Sequence, residues 1–215
     1  MAIKIGVIGS GDVGKTLAAG FARHGHEVTI GSRSPEKLGA WRQDKAPNVA
    51  LADFAGAAAA GDIVILAVQG GAAVDALKLA GLETLAGKVV IDTCNPIAGP
   101  PVDGILPYFT GPNESLMERL QATAPQSRLV KAFSCVGNAL MIDPPVQGGP
   151  PTMFICGNDA AAKASVTALL AEIGWEAEDV GGVAGARAIE PLCQLWCARG
   201  FLHNGWMHAF KLLKM

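Results

Sequence analysis

Three glycines at Gly9, Gly11 and Gly14 follow directly on the apolar run Ile3-Lys4-Ile5-Gly6-Val7-Ile8, and a helical pattern follows them. This G-x-G-x-x-G spacing suits a dinucleotide pyrophosphate. The first glycine makes a tight turn, the second lets the phosphates approach the backbone, and the third lets helix and strand pack closely. Ser10, Asp12 and Val13 complete the turn, and the helix N-terminus behind it offers free N–H groups and the positive end of a dipole. Lys15-Thr16 after Gly14 does not make a Walker loop, because the four-residue gap between its glycines is missing.

A second strand ends near Ile30, about twenty residues on, where an NAD site carries an Asp or Glu for the ribose hydroxyls. This chain reads Gly31-Ser32-Arg33-Ser34 there. With no carboxylate, and with a guanidinium, two hydroxyls and Lys37 close by, the pattern predicts a 2′-phosphate and hence NADP(H). One charge-assisted hydrogen bond contributes roughly 1.5–3 kcal/mol, about ten- to hundredfold in affinity.

The residues that could carry acid–base, thiol or metal chemistry are fewer. His24 and His26 bracket the first crossover and read as turn residues; His203 and His208 lie in the terminal segment and read as packing or solvent-facing. Cys94, Cys135, Cys156, Cys193 and Cys197 are odd in number and scattered, which fits reduced thiols rather than a disulfide framework. Cys193 and Cys197, one helical turn apart, supply two ligands at most, and no further Cys or His pair completes a zinc set. No strand end presents a histidine with a carboxylate. Carbonyl reduction needs a positioned acid, whereas hydride exchange between two cofactors needs mainly stacked, aligned rings. The sequence favours the second.

Elements to hold these residues alternate along the chain. Strands are predicted at 3–8, 27–30, 49–51, 63–68, 88–92, 128–133 and 152–156, with a weak one at 176–179. Helices are predicted at 13–24, 35–41, 54–60, 72–80, 114–123 and 160–173. "DIVILAV" is continuous rather than alternating, as a parallel strand buried on both faces should be. This is a Rossmann-type, doubly wound α/β fold with a mostly parallel sheet of about seven to eight strands. Residues 1–183 form the nucleotide-binding domain and 184–215 a C-terminal helical extension packed on it. That extension is expected to be one long helix, kinked or restarted near Pro191 and broken at Gly200 or Gly205. Its four aromatics (Trp196, Phe201, Trp206, Phe210) need a cover, which suggests an acceptor wall at Gly185–Arg187 or a homodimer. The segment Pro96–Pro112 is expected to be a long, functional surface loop.

Of the 215 residues half are hydrophobic and 17% charged, which supports a sizeable core. A net charge of -2 gives no field for nucleic acid. The apolar stretches, broken by Asp53, Asp62 and Lys88, stay short of the roughly 18 residues a membrane span needs. A core strand starting at Ile3 leaves no signal peptide, so a cytoplasmic protein is expected.

The whole pattern resembles a known family. "IGSGDVGKTLAAGFARHGHEVTIGSR" looks like the opening of the F420-dependent NADP reductases, and the likeness continues through "DTCNP", "RLVKAFS", "PTMFICGNDAAAK" and "GARAIEPLCQLW". The nucleotide-binding unit is also similar to the cytosolic part of the STEAP ferric reductases and to the N-terminal domain of pyrroline-carboxylate reductases. The resemblance implies that Ser10–Val13 wrap the pyrophosphate and that Ser32, Arg33 and Lys37 hold the 2′-phosphate. It implies that Ala67, Val68 and Gln69 pass the ribose, and that Asn95, Pro96 and the Ala132–Cys135 turn flank the nicotinamide, with Ser134 and Cys135 orienting the rings. The implied acceptor is a second cofactor, deazaflavin F420 or a flavin. Many relatives read "VKAFN" where this chain ends in Ser134, so a ferric, flavin, imine or carbonyl reductase, with Ser134 as acid in the last cases, and a non-catalytic NADP-binding redox sensor stay open.

Overall fold

The computed structural model describes residues 2–214. Eight strands and eight helices alternate: β1 (Lys4–Ile8), α1 (Asp12–Arg23), β2 (Glu27–Gly31), α2 (Gly39–Lys45), β3 (Ala50–Ala52), α3 (Phe54–Ala60), β4 (Ile63–Leu66), α4 (Ala73–Ala80), α5 (Leu82–Leu85), β5 (Val89–Asp92), α6 (Leu116–Thr123), β6 (Arg128–Lys131), β7 (Thr152–Ile155), α7 (Ala160–Glu172), β8 (Glu176–Asp179) and α8 (Ala186–His203). The main sheet is six-stranded and parallel, in the order β3-β2-β1-β4-β5-β6. The order reverses between β1 and β4, and in such sheets the ligand crevice lies beyond the strand C-termini at that point.

Because both faces are covered, the strand interiors are apolar throughout and alternate between two cores. In β4, Ile63 and Ile65 join one core with Leu17 and Phe21 of α1 and Val166 and Leu170 of α7. Val64 and Leu66 join the other, with Phe54 of α3, Leu77 of α4, Leu120 of α6 and Ile189 of α8. A one-residue slip of β4 would exchange these sets, so its register is tightly specified.

Three expectations need correction. The eight strands do not share one sheet: β7 and β8 form their own parallel pair, which meets β6 only at an antiparallel Lys131–Cys156 bridge. β6 also stops at Lys131 rather than at Phe133, because Phe133 takes a φ of 60°, a left-handed turn costly for a bulky residue. The terminal segment differs too. α8 runs unbroken through Pro191 and ends at His203, where Asn204 adopts a φ of 50°. Trp206 and Phe210 therefore lie on a tail that folds back. Trp206 sits over Gly200, Trp196 stacks on His208 with ring centroids 4.9 Å apart, and Thr152 of β7 donates to the Phe210 carbonyl. The tail covers part of the apolar face that the sequence left open.

Candidate functional site

At the C-terminal edge of the sheet, the three glycines of the β1–α1 turn do three different jobs. Gly9 has a φ of 119°, and a Cβ there would lie 2.1 Å from the Ala67 carbonyl oxygen of the neighbouring turn. A Cβ on Gly14 would fall 2.0 Å from the Gly9 carbonyl oxygen. Around Gly11 nothing comes within 4 Å of the same position. Gly9 and Gly14 are thus required by the fold, while a bare Gly11 serves something that approaches from outside. The helix ends agree. Gly11 starts α1 with no side-chain cap, as α2, α4, α5 and α8 also start, while Asp53, Ser115 and Asp159 cap α3, α6 and α7; only α1 begins in the glycine turn itself. The first N–H groups of α1 face the cleft free, as an anion site requires.

Beside this turn, the end of β2 carries the cationic group. The Ser32 hydroxyl is nearly buried and accepts from the Ser10 hydroxyl (3.1 Å) and from the Ser34 N–H (3.1 Å), which leaves its own proton to donate. Arg33 and Lys37 are exposed, and among the described residues neither forms an ion pair. Two free cations and a free hydroxyl donor border a cavity of about 700 Å³ that Gly9, Ser10, Val68, Ala72 and Leu79 also line.

A second cavity, of about 760 Å³, shares Gly11, Ala67, Val68 and Gln69 with the first and continues towards β5. Its walls are Asp12, Val13, Thr93–Asn95, Ile97–Gly99 and Asn138. The expected residues Gly9–Val13, Ser32–Ser34, Lys37, Ala67–Gln69 and Asn95 therefore come together on one cleft. Pro96, Ala132, Ser134 and Cys135 do not line it; all four are buried behind it. The Ser134 hydroxyl donates to Asn95 Oδ1 (2.6 Å) while Asn95 Nδ2 donates to the Ser134 carbonyl (2.9 Å). Ser134 thus orients Asn95 from behind, and its proton is already committed. Gly137 offers no room for a ring, because Trp196 covers it and its Cη2 would be 2.5 Å from a Cβ there. Gly185–Arg187 do not reach the cleft either; Arg187 lines a separate cavity of about 260 Å³ with Tyr108 and Glu190.

The thiols at this end are held in the protonated form. Burial pushes the Cys135 thiol up to about 12, and burial together with the Asp92 carboxylate raises Cys94 well above the ordinary cysteine value. Lys131, the one cation near them, is fully buried and bound elsewhere. Its ammonium donates to Asp92 Oδ2 (2.8 Å), to Glu190 Oε1 (3.0 Å) and to the Cys94 carbonyl. Burial pulls the Lys131 pKa down, and the two carboxylates more than offset it, so the lysine stays charged. Glu190 also accepts from the Leu116 and Met117 N–H groups at the start of α6. This hub ties β5, β6, α6 and α8 together directly beneath Cys94 and Asn95. Sequence reasoning missed it, although a lysine inside the apolar run "LVKAF" and an aspartate ending "VVID" were its signal: buried charges must be paired.

Among the described residues no three His, Cys, Asp or Glu side chains are grouped to hold a metal ion, and no helix is long and apolar enough to cross a membrane.

Comparison with known proteins bears on the same residues. Positions 4–96 match the sequence profile of a family described as NADP oxidoreductase, coenzyme F420-dependent. The F420-dependent NADP reductase of Methanocaldococcus jannaschii is 32% identical over 207 residues, covering 90% of this chain and 90% of that protein. The rat metalloreductase STEAP3 is 28% identical over 191 residues; these span 88% of this chain but only 36% of the metalloreductase. A crystal structure of a putative F420-dependent NADP reductase from Arthrobacter sp. FB24 superposes with a TM-score of 0.92 at 36% identity, covering 99% of this chain and 100% of that one.

Proposed function

Because this chain belongs to the coenzyme F420-dependent NADP oxidoreductase family, we propose that it passes hydride between NADPH and a planar, flavin-like acceptor of the deazaflavin type, without a protein acid in the chemical step. The observation that carries this reading is the contrast within one cleft. Free donors line the phosphate end together with one carboxylate, Asp75, and the ionisable groups of the opposite lobe are Asp12, at the phosphate end of that lobe, and the buried Cys94.

The residues fit NADP on the protein's own geometry: open space over Gly11, an uncapped α1, and an unused Ser32 proton beside Arg33 and Lys37. NADPH bound there would supply the hydride. The α1 N–H groups hold the pyrophosphate, and Ser32, Arg33 and Lys37 hold the 2′-phosphate. Asn95, aligned by Ser134, and Asn138 border the lobe where the rings must meet. Holding two rings close and in line lowers the barrier mainly through orientation.

The exposed apolar side chains of Val102, Ile105, Leu195, Leu202 and Met207 support action as a homodimer, which sedimentation would measure. The reading of an imine or carbonyl reductase with Ser134 as acid is weakened by that hydroxyl's hydrogen bond to Asn95.

The test is stopped-flow oxidation of NADPH against F420, FMN, FAD, ferric chelates and simple imines. NADPH deuterated at the transferring carbon should deliver the label to the deazaflavin ring. Ser134→Ala should slow turnover less than about tenfold, since loss of a true general acid costs about a hundred- to ten-thousandfold. Solvent hydrogen at the receiving carbon, or a collapse in Ser134→Ala, would overturn the reading.

A further inference from the structure

The segment between Pro96 and Phe109 is a hairpin rather than a loose loop. Phe109 N–H donates to the Pro96 carbonyl and Ala98 N–H to that of Pro107, and Val102 and Ile105 exchange backbone bonds around the Asp103-Gly104 tip. One strand lines the cleft through Ile97, Ala98 and Gly99. The other rests on α8, where the Tyr108 hydroxyl donates to the Glu190 carbonyl (2.8 Å) and Gln194 Nε2 donates to the Leu106 carbonyl (2.6 Å).

Beside that anchor, on the next turn of α8, the sulfurs of Cys193 and Cys197 lie 4.0 Å apart. Residues four apart on a helix have Cα atoms about 6 Å apart, inside the range of about 4.4–6.8 Å that a disulfide spans. Their Cβ atoms are about 5–6 Å apart, wider than the about 3.5–4.5 Å of a disulfide, so closing the bond must distort this turn of α8. Cys193 is buried and Cys197 is partly open to solvent. The hydrogen bond from Cys197, helped by the Tyr108 hydroxyl, lowers the Cys193 pKa against the effect of burial, while the Cys197 pKa is raised by the same pairing. The downward pull on Cys193 is what separates this pair from Cys94, Cys135 and Cys156, whose thiols are all raised.

We propose that Cys193 and Cys197 form a reversible dithiol–disulfide site, closed by hydroperoxides, that sets how firmly α8 holds the Pro96–Phe109 hairpin over the cleft. The Cys193 thiolate attacks the peroxide O–O bond and becomes a sulfenic acid. The hydroxide released takes the Cys197 proton and leaves as water. The Cys197 thiolate then attacks the Cys193 sulfur, the S–S bond forms, and the second hydroxide leaves as water with a proton from solvent. Two thiols lose two electrons, and hydrogen peroxide gains them as two waters. Closure draws the sulfurs together by about 2 Å, which distorts α8 beside the Glu190 carbonyl and Gln194 side chain that anchor the hairpin. That the hairpin roofs a cofactor rests on the NADP reading; the disulfide does not.

The full chain is reduced, treated with hydrogen peroxide, alkylated and cut after Arg187 and Arg199, which isolates both cysteines on Ala188–Arg199. That peptide should be unalkylated and two hydrogens lighter, should revert with dithiothreitol, and should not close in Cys197→Ser. Recovery of the peptide doubly alkylated or as a sulfinic acid would overturn the site. Hydrogen exchange over 97–109 should be roughly two- to tenfold faster in the oxidised form, as loss of one net hydrogen bond allows. Equal exchange would overturn the coupling. Neither readout needs cofactor, so NADPH titration of the reduced protein separates failure of this site from failure of the NADP reading.

Discussion

The two ends of the cleft are built on opposite principles. At the phosphate end the polar groups face outward: α1 has no cap, Ser32 keeps a proton, and Arg33 and Lys37 make no ion pair among the described residues. At the β5–β6 end the polar groups face one another. Asn95 pairs with Ser134, and Lys131 with Asp92, Glu190 and the Cys94 carbonyl, while Glu190 holds two N–H groups of α6. The first arrangement awaits an anion, and the second fixes a shape. Gripping charge needs unsatisfied donors, whereas aligning two rings, the role we propose for the second end, needs walls that do not move.

This contrast separates two kinds of damage. Lys131→Met should leave Asp92 and Glu190 buried without their cation, and losing one partner of a buried ion pair costs about 3–5 kcal/mol. Urea unfolding should show that loss, while the fraction still folded keeps NADPH affinity within about threefold. Gly11→Val should do the reverse. With nothing within 4 Å of its Cβ the fold accepts the side chain, so unfolding should shift by no more than about 1 kcal/mol, the cost of a poor N-cap residue. Its methyls stand where phosphate must approach backbone, and calorimetry should show at least about a hundredfold weaker NADPH binding, near 2.7 kcal/mol. If the two variants behaved alike, the two ends would not be distinct.

The difference also explains what could be read from the residues alone. The phosphate end is local: three glycines within six positions and a Gly-Ser-Arg-Ser turn each state their purpose in sequence. The hub is not, since Asp92, Lys131 and Glu190 are separated by 39 and 59 residues and meet only through the sheet order. The end of α8 was illegible for another reason. Apolar spacing persists past His203, and the helix stops on the backbone geometry of Asn204, not on a change of composition. The separate β7–β8 pair was equally hidden, because ordinary strand sequences do not say which edge they join.

A smaller effect should appear at low pH, away from the cleft. Glu118, in the first turn of α6, accepts from the N–H of the Ser115 cap and meets the Arg187 guanidinium at 2.9 Å. Arg187, opposed by burial and helped by Ser115, holds its carboxyl down at about 2 rather than 4.5. A depressed carboxyl contributes stability that is fully present above about pH 4.5 and lost as pH falls through about 2. The pair lies near the surface, so this amounts to less than about 1 kcal/mol. Thermal unfolding of Glu118→Gln between pH 5 and pH 2 should therefore fall less steeply than that of the unaltered protein, while NADPH binding at neutral pH stays the same.

The most direct test of the phosphate end is titration of NADPH and NADH into the unaltered protein and into Arg33→Ala. The unaltered protein should bind NADPH at least about tenfold tighter than NADH, the worth of one charge-assisted hydrogen bond to the 2′-phosphate, and Arg33→Ala should lose most of that preference while keeping its NADH affinity. Equal affinity for the two cofactors in the unaltered protein, or an undiminished preference in Arg33→Ala, would contradict the assignment.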